Sequence, residues 1–131
     1  MKLLFAPIER GPLRVFARAG SHNVVAFEGV LREQDPAAWL CPLIDTIHAR
    51  ATDEHFKEVV LDLRRLEYAN AAAWKCIVYW VQLLKDGGES SYHLRIYSDD
   101  KHRWQHIGMT ALRVFGQSRL EITVYREGQL A

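Results

Sequence analysis

The sequence has 131 residues, of which 49% are hydrophobic and 25% are charged, and its net charge is only +1. This composition is typical of one globular domain with an ordinary core, so we expect residues 1–131 to form a single domain. The balanced charge argues against a nucleic-acid-binding surface, which needs clustered Lys and Arg, and gives no support for binding to a membrane surface.

The first elements predicted along the chain are two β-strands. Apolar and polar residues alternate over Leu13–Arg18, and a second β-rich run covers Val24–Leu31. A turn that contains Gly20 separates the two runs. This pattern predicts an antiparallel hairpin.

A helix should follow the hairpin. Asp35 offers an N-cap, with Pro36 at the first helical position, but a second proline, Pro42, lies too deep for an undisturbed helix from that start. We therefore expect a short turn over Pro36–Leu40 and a main helix from about Cys41 to Ala51. The predicted core stripe of this helix is Leu43, Ile44, Ile47 and Ala51.

The middle of the chain predicts a buried strand and a second helix. Val59–Leu63 is a short unbroken apolar run, as expected for a central strand that is covered on both faces. Asn70 is a good N-cap for a helix over Ala71–Lys85, which the pair Gly87–Gly88 should end.

The last third predicts a strand, a helix and a strand. Alternation over Tyr92–Tyr97 indicates a half-buried strand, and Ser98–Asp100 should cap a helix over Lys101–Phe115 that Gly116 closes. The core stripe expected for this helix is Trp104, Ile107, Ala111 and Leu112. Leu120, Ile122 and Val124 indicate the final strand. The predicted order is β-β-α-β-α-β-α-β, an α/β fold with a mixed sheet and right-handed crossovers.

The sequence carries no sign of export or membrane insertion. The apolar run from Cys76 to Val81 is too short to span a bilayer, and Pro7 and Glu9 interrupt the apolar start. The only two cysteines, Cys41 and Cys76, are typical of free and mostly buried thiols in a reducing compartment. We therefore predict a cytoplasmic protein.

One segment, Val59–Ala73, carries a family resemblance. It reads VVLDLRRLEYANAAA and resembles the central motif of STAS (anti-sigma-factor-antagonist) domains, in which an apolar strand ending in Asp-Leu leads through a short loop to Asp-Ser-Ser/Thr-Gly at a helix start. The order of elements from Leu13 to Val124 also agrees. Tyr68-Ala69-Asn70 is most similar to the bacterial subgroup with Asn-Ser/Thr-Ser at this helix, whose members are paired with a kinase and a phosphatase. The resemblance implies the STAS fold and a regulatory role through protein binding.

The chain departs from the family where the chemistry of the switch lies. In the family, a partner kinase phosphorylates the first hydroxyl residue of the motif, and the added charge changes the interface. Here the acidic position of the motif falls on Asn70, the phosphoacceptor on Ala71, the next hydroxyl on Ala72 and the glycine on Ala73. Alanine cannot accept a phosphoryl group, so we expect a domain that is not switched by phosphorylation at this site.

A second departure lies in the first half of the chain. Many family members have an acidic residue after a Gly-x-Leu sequence, close to the switch, whereas this chain has Arg32 after Gly29-Val30-Leu31. Taken by themselves, residues 70–73 also have a simpler interpretation, a capped helix with a good helix-forming first turn.

The second helix has more apolar residues than one face can hold. If Ile77, Val78, Val81 and Leu84 pack inward, then Trp74 and either Tyr79 or Trp80 lie at the flank or outside. Two interpretations stay open. Either a partner covers this flank through its aromatic anchors, or the core simply uses bulky residues.

Other candidate sites are weaker. His102 and His106 would share one helical face, but two ligands do not make a metal site, and two solvated histidines are the simpler interpretation. Asp62 ends the central strand, where open α/β sheets often place functional groups, and could line a pocket with Arg32 and Ser98. The simpler role of Asp62 is to orient the loop that follows.

We expect a regulatory binding module that is not an enzyme and needs neither a cofactor nor a metal. The surface predicted to bind a partner is Asn70, Ala71, Ala72, Ala73 and Trp74. The family implies a GHKL-type kinase or an anti-sigma-like regulator as the partner. Two alternatives are a homodimer formed through the flank of the second helix, and a sensor of a small molecule or nucleotide that uses the pocket beside Asp62.

Overall fold

The computed structural model describes residues 5–18, 23–88, 91–116 and 120–125, together with the backbone but not the side chains of residues 106–107. Its strands are β1 (Ile8–Arg10), β2 (Leu13–Arg18), β3 (Val24–Leu31), β4 (Glu58–Ala69), β5 (His93–Asp99) and β6 (Leu120–Tyr125). Its helices are α1 (Ala37–Asp53), α2 (Ala71–Gly87) and α3 (Arg103–Gly116).

The strands form one six-stranded mixed sheet in the order β1-β2-β3-β4-β5-β6. The first three strands pair antiparallel, and each later strand pairs parallel to the one before it. A helix connects each parallel pair, because a parallel connection needs a long crossover. The predicted α/β fold with a mixed sheet is confirmed, and it is consistent with a STAS-like arrangement. Strand β1 was not predicted.

The described helices pack on one face of the sheet, with α2 in contact with both α1 and α3. This face carries one hydrophobic core, to which strands contribute alternate residues such as Val59, Leu61 and Leu63. The side chains between them, including Asp62 and Arg64, point to the opposite face. None of the described helices is long and apolar enough to cross a membrane.

The prediction for the first helix was wrong in its boundaries. A single helix covers Ala37–Asp53 and contains Pro42, while its N-cap residue is Pro36, which makes no capping bond through a side chain. Pro42 is exposed and is the sixth residue of the helix, so it cannot donate a hydrogen bond to the Ala38 carbonyl, yet the helix continues through it and buries one continuous stripe. The buried stripe is Leu40, Ile44, Ile47 and Ala51; Leu40 joins it because the helix begins earlier, whereas Leu43, which was expected in it, lies at its edge and is half-buried.

Strand β4 is longer than the apolar run that predicted it. Twelve residues, Glu58–Ala69, are extended, so the loop expected after Leu63 is strand as well. Only the first half of β4, Glu58–Asp62, pairs with β5, whereas the pairing with β3 continues to Ala69. The end of β4 therefore leads directly into Asn70 and α2.

The expected stripe of α3 was also displaced. The helix begins at Arg103, and its buried side chains include Gln105, Met109 and Leu112, while Ala111 is exposed. The expected position of Ile107 lies outside the described side chains. Gln105 is buried because it makes hydrogen bonds to β4, a role that periodicity in hydrophobicity does not reveal.

Candidate site at the start of helix α2

Asn70 fixes the start of α2. Its side-chain Oδ1 accepts a hydrogen bond from the backbone N–H of Ala73 at 2.9 Å, which is the expected N-cap bond. Its Nδ2 donates to the backbone oxygen of Glu33 at 2.8 Å, and its backbone N–H donates to the Leu31 oxygen at 3.1 Å. One side chain therefore caps the helix and ties it to the segment that leaves β3.

The three alanines after Asn70 differ in exposure. Ala71 is exposed, Ala72 is half-buried and Ala73 is 1% exposed. Ala71, which occupies the phosphoacceptor position of the family resemblance, thus faces solvent at the helix N-terminus. No described residue from Ala69 to Trp74 carries a hydroxyl group.

An apolar groove opens beside this helix start, between α2 and α3. Its volume is about 340 Å³. We call it the α2–α3 groove, and its lining residues are Ala69, Asn70, Ala71, Trp74, Trp104, Gly108 and Ala111. Small side chains and two indoles make most of this surface apolar, and the described chain leaves the groove open.

The two indoles pack edge to face. The ring centroids of Trp74 and Trp104 lie 5.8 Å apart with an interplanar angle of 78°. The Tyr68 ring lies 6.4 Å from the Trp104 ring, and Tyr68 is 46% exposed. Gly108 allows this packing, because a Cβ atom at that position would overlap the Trp74 indole.

Side chains of Trp104 and Gln105, at the start of α3, donate hydrogen bonds to β4 where a neighbouring strand would otherwise do so. The second half of β4 has no strand partner on the β5 side, and its carbonyl groups accept side-chain hydrogen bonds instead. Trp104 Nε1 donates to the Glu67 oxygen at 2.7 Å. Gln105 Nε2 donates to the Leu63 and Leu66 oxygens at 2.9 and 3.2 Å. These bonds anchor one wall of the groove to the sheet.

A polar hollow adjoins the groove beyond Trp104. It is lined by Arg65, Glu67, Lys101 and His102 and has a volume of about 630 Å³. His102 Nε2 lies 2.9 Å from the Arg64 oxygen, and the imidazole lies 6.4 Å from the Trp104 ring. Arg65 also lies 3.9 Å from Glu28, so this flank presents two exposed cations, Arg65 and Lys101, beside the carboxylates of Glu67 and Glu28.

Asp62, Arg32 and Ser98 do not lie together. Asp62 is 3% exposed on the sheet face opposite the helices, whereas Ser98 lies on the helix face and donates a hydrogen bond to Gln105 Oε1 at 2.6 Å. Arg32 follows β3 and is exposed. Alternation along a strand separates Asp62 from Ser98, because Ser98 is next to Tyr97, the β5 partner of Asp62.

Asp62 belongs instead to an ionic cluster that is saturated with partners. Its carboxylate accepts hydrogen bonds from Arg64 Nε and Nη2 at 2.9 and 2.7 Å and from Arg18. The Arg64 guanidinium lies over the rings of Tyr97 and Tyr125. Burial by itself raises the pKa of Asp62, but the hydrogen bonds from Arg64 and Arg18 outweigh it and hold the pKa below its usual value.

The structure also tests the predicted faces of α2 and the predicted pairing of His102 with His106. Trp80, one candidate for the outside of α2, is 1% exposed and donates to the Tyr92 hydroxyl at 2.7 Å, while Val78, expected inside, is 37% exposed. His102 precedes α3, so it does not share a helical face with His106, whose side chain lies outside the described residues. Within the described residues, no group of three His, Cys, Asp or Glu side chains could hold a metal ion.

Comparison with known proteins identifies the fold. No protein-family model matches the sequence, and no curated protein matches it. The structure resembles a chain in the crystal structure of the diguanylate cyclase SiaD in complex with its activator SiaC from Pseudomonas aeruginosa, with a TM-score of 0.68 and 16% sequence identity. The alignment covers 92% of this chain and 100% of the matching chain, which is SiaC. The two chains therefore share a fold.

Proposed function

We propose that this chain is a regulatory module that binds a protein partner through the α2–α3 groove and the start of α2, and that it catalyses no reaction. The observation that carries the proposal is the open groove itself. Its lining contains two half-buried tryptophans beside an exposed helix start, and buried aromatic anchors dominate the energy of many protein interfaces. The proposed contact residues are Asn70, Ala71, Ala72 and Trp74, whereas Ala73, which the sequence also suggested, is 1% exposed and belongs to the core.

The fold supports the same proposal. SiaC, which shares it, is the activator of SiaD and is found in complex with it. In this chain, we propose a partner of the kind implied by the STAS resemblance, a GHKL-type kinase or an anti-sigma-like regulator. Because Ala71 stands where the family has its phosphoacceptor, binding here would not be switched by phosphorylation at that position.

The surroundings of the groove indicate the chemistry of the partner segment. The groove itself accommodates an apolar side chain, and the adjoining hollow presents Arg65 and Lys101 beside the carboxylates of Glu67 and Glu28. An apolar segment flanked by polar residues that include both charges would match both features. We therefore propose that the partner presents such a segment.

Site-specific photo-crosslinking in the native host tests the proposed surface. A photoreactive benzoylphenylalanine at Ala71 or at Ala111 should capture one specific protein, whereas the same probe at Ala49 should not. Ala71 and Ala111 are exposed residues that line the groove, while Ala49 is an exposed residue of α1 outside it. Equal capture of the same protein from all three positions would contradict the proposed surface.

Affinity for the captured partner, once purified, gives the second test. Ala111→Arg places a long cation in the groove without disturbing the core, because Ala111 is exposed. We expect affinity to fall about tenfold or more, which is roughly 1.4 kcal/mol. Ala49→Arg, the matched control, should bind like the wild type.

Homodimerisation through the outer flank of α2 remains the second candidate. Val78 and Tyr79 are each 37% exposed on this helix. Tyr79, however, donates a hydrogen bond to Asp45 of α1, so part of this flank already has an internal partner. Light scattering at high protein concentration distinguishes the two candidates, since a strictly monomeric chain would exclude this one.

A further inference from the structure

The two cysteines of the chain lie in contact although they are 35 positions apart in sequence. Cys41 is on α1 and Cys76 is in the second turn of α2, and their Sγ atoms are 3.9 Å apart. Both thiols are free. Since a disulfide requires about 2.05 Å between sulfurs, the two Sγ atoms must approach each other by about 2 Å to form one.

The two thiols differ in access to solvent. Cys41 is half-buried, whereas Cys76 is 3% exposed in the core. Burial and the neighbouring Cys41 raise the pKa of Cys76 to about 12, so Cys76 is a poor first nucleophile near neutral pH. A small oxidant from solution therefore meets Cys41 first, with Cys76 in position to react second.

We propose that Cys41 and Cys76 form a reversible intramolecular disulfide by exchange with a small-molecule disulfide such as oxidised glutathione. The Cys41 thiolate attacks one sulfur of the oxidant, which forms a mixed disulfide and releases one glutathione thiolate. The Cys76 thiol then gives up its proton and attacks Cys41 Sγ, which releases the second glutathione. In balance, two protein thiols are oxidised to one disulfide, and one oxidised glutathione is reduced to two thiols.

The bridge would connect α1 covalently to α2, whose N-cap is Asn70. Formation of the bridge does not depend on the proposed partner, because it involves only this chain and the oxidant. Its experiment can therefore fail without affecting the proposed docking surface, and the docking experiments can fail without affecting the bridge.

The experiment treats the purified, reduced chain with oxidised glutathione and follows the intact mass. We expect the folded chain to lose the mass of two hydrogen atoms, and tryptic digestion to yield peptides 33–50 and 76–85 joined by a disulfide. Since the fold holds the thiols together, bridging in the folded chain should occur within one molecule and at a rate independent of protein concentration, limited by the small thiolate fraction of Cys76. Bridging should also accelerate as pH rises, because the second attack needs the Cys76 thiolate.

Single variants separate the two steps. Cys76→Ala should stop at the mixed disulfide on Cys41, and Cys41→Ser should react far more slowly, because the remaining thiol is buried. Circular dichroism checks that each variant is folded. If Cys76→Ala does not fold, Cys41→Ser still tests the order of attack. The proposal would be overturned by a wild-type chain that keeps the mixed disulfide even at raised pH, or that bridges only in urea or between two molecules.

Discussion

The two regions that the sequence marks as candidate sites use their residues in opposite ways. Around Asp62, two guanidinium groups and two tyrosine rings surround one carboxylate, and every oxygen of that carboxylate has a partner within the chain. At the start of α2, the groove presents apolar surface that no described residue fills. A charged, buried cluster can therefore be complete in itself, whereas the apolar groove has no partner among the described residues.

The difference has an energetic basis. A buried carboxylate is costly unless it is paired and hydrogen-bonded, so the partners of Asp62 are required by its burial alone. Exposed indole and methyl surface beside a helix start has no such internal explanation, and removing it from water is favourable. We therefore expect substitutions near Asp62 to change folding stability and substitutions in the groove to change partner binding.

The largest expected effect follows from Asp62→Asn. The change leaves Arg64 and Arg18 without their anionic partner on the sheet. We expect the free energy of unfolding to fall by about 2 kcal/mol, less than for a fully buried pair because Arg18 is partly exposed to solvent. Urea titration at neutral pH measures the change, and unchanged affinity for the partner would complete the comparison.

The difference in unfolding free energy between the wild type and Asp62→Asn should depend on pH. The folded chain holds the pKa of Asp62 below its unfolded value of about 3.9, so this group stabilises the fold above that pH and loses the contribution as pH falls through the folded-state pKa. Asn at the same position does not titrate. The stability gap between wild type and Asp62→Asn should therefore shrink as the pH is lowered from 7 towards 3, and a constant gap would contradict the ion-pair account.

Ala71→Asp should raise folding stability and weaken partner binding. A carboxylate at the first position of α2 interacts favourably with the helix dipole, and the first turn contains no acidic residue at present, so stability should rise by about 0.5 kcal/mol. The same charge faces the proposed docking surface and should weaken partner binding about tenfold, or roughly 1.4 kcal/mol. Ala71→Asn, which adds similar size without charge, is the control and should retain most of the affinity.

Asn70→Ala tests how much the N-cap of α2 contributes to folding stability. The substitution removes the bond to the Ala73 N–H and the bond to the Glu33 oxygen, so we expect a loss of about 1 kcal/mol in stability. Asn70→Ser should recover the capping part but not the link to Glu33. If Ser proved no better than Ala in thermal unfolding, the cap would not be the main contribution of this residue.

Sequence patterns predicted the scaffold better than the details of the site. The Asn70 cap, the hairpin and the order of the later elements depend on local signals, which act within a few residues and are visible in the chain itself. The length of β4 was missed because Arg64, Arg65 and Glu67 interrupt its apolar pattern, although the second half of the strand is held by β3 and by side chains of α3.

Long-range contacts account for the rest of the differences. From its polar side chain, Gln105 would be expected at the surface. It is buried, and its Nε2 donates hydrogen bonds to two backbone carbonyl groups of β4. Likewise, nothing in the sequence indicates that Cys41 and Cys76 meet, since their contact depends on how α1 packs on α2. Of the residues that line the groove, the predicted partner surface included Asn70, Ala71 and Trp74 but not Trp104, because Trp104 had been assigned to the core stripe of α3.

The smallest expected effect on stability comes from Gly108→Ala, and it tests the geometry of the groove directly. Replacing Gly by Ala inside a helix normally stabilises it by up to about 1 kcal/mol, but here the new methyl group overlaps the Trp74 indole, so the two effects should largely cancel. Because Trp74 is half-buried, its ring can rotate out of the way, which would disturb its edge-to-face contact with Trp104. We expect a shift in the tryptophan fluorescence maximum and weaker partner binding with little loss of stability. Unchanged fluorescence and affinity would show that the groove does not depend on the contact between Gly108 and Trp74.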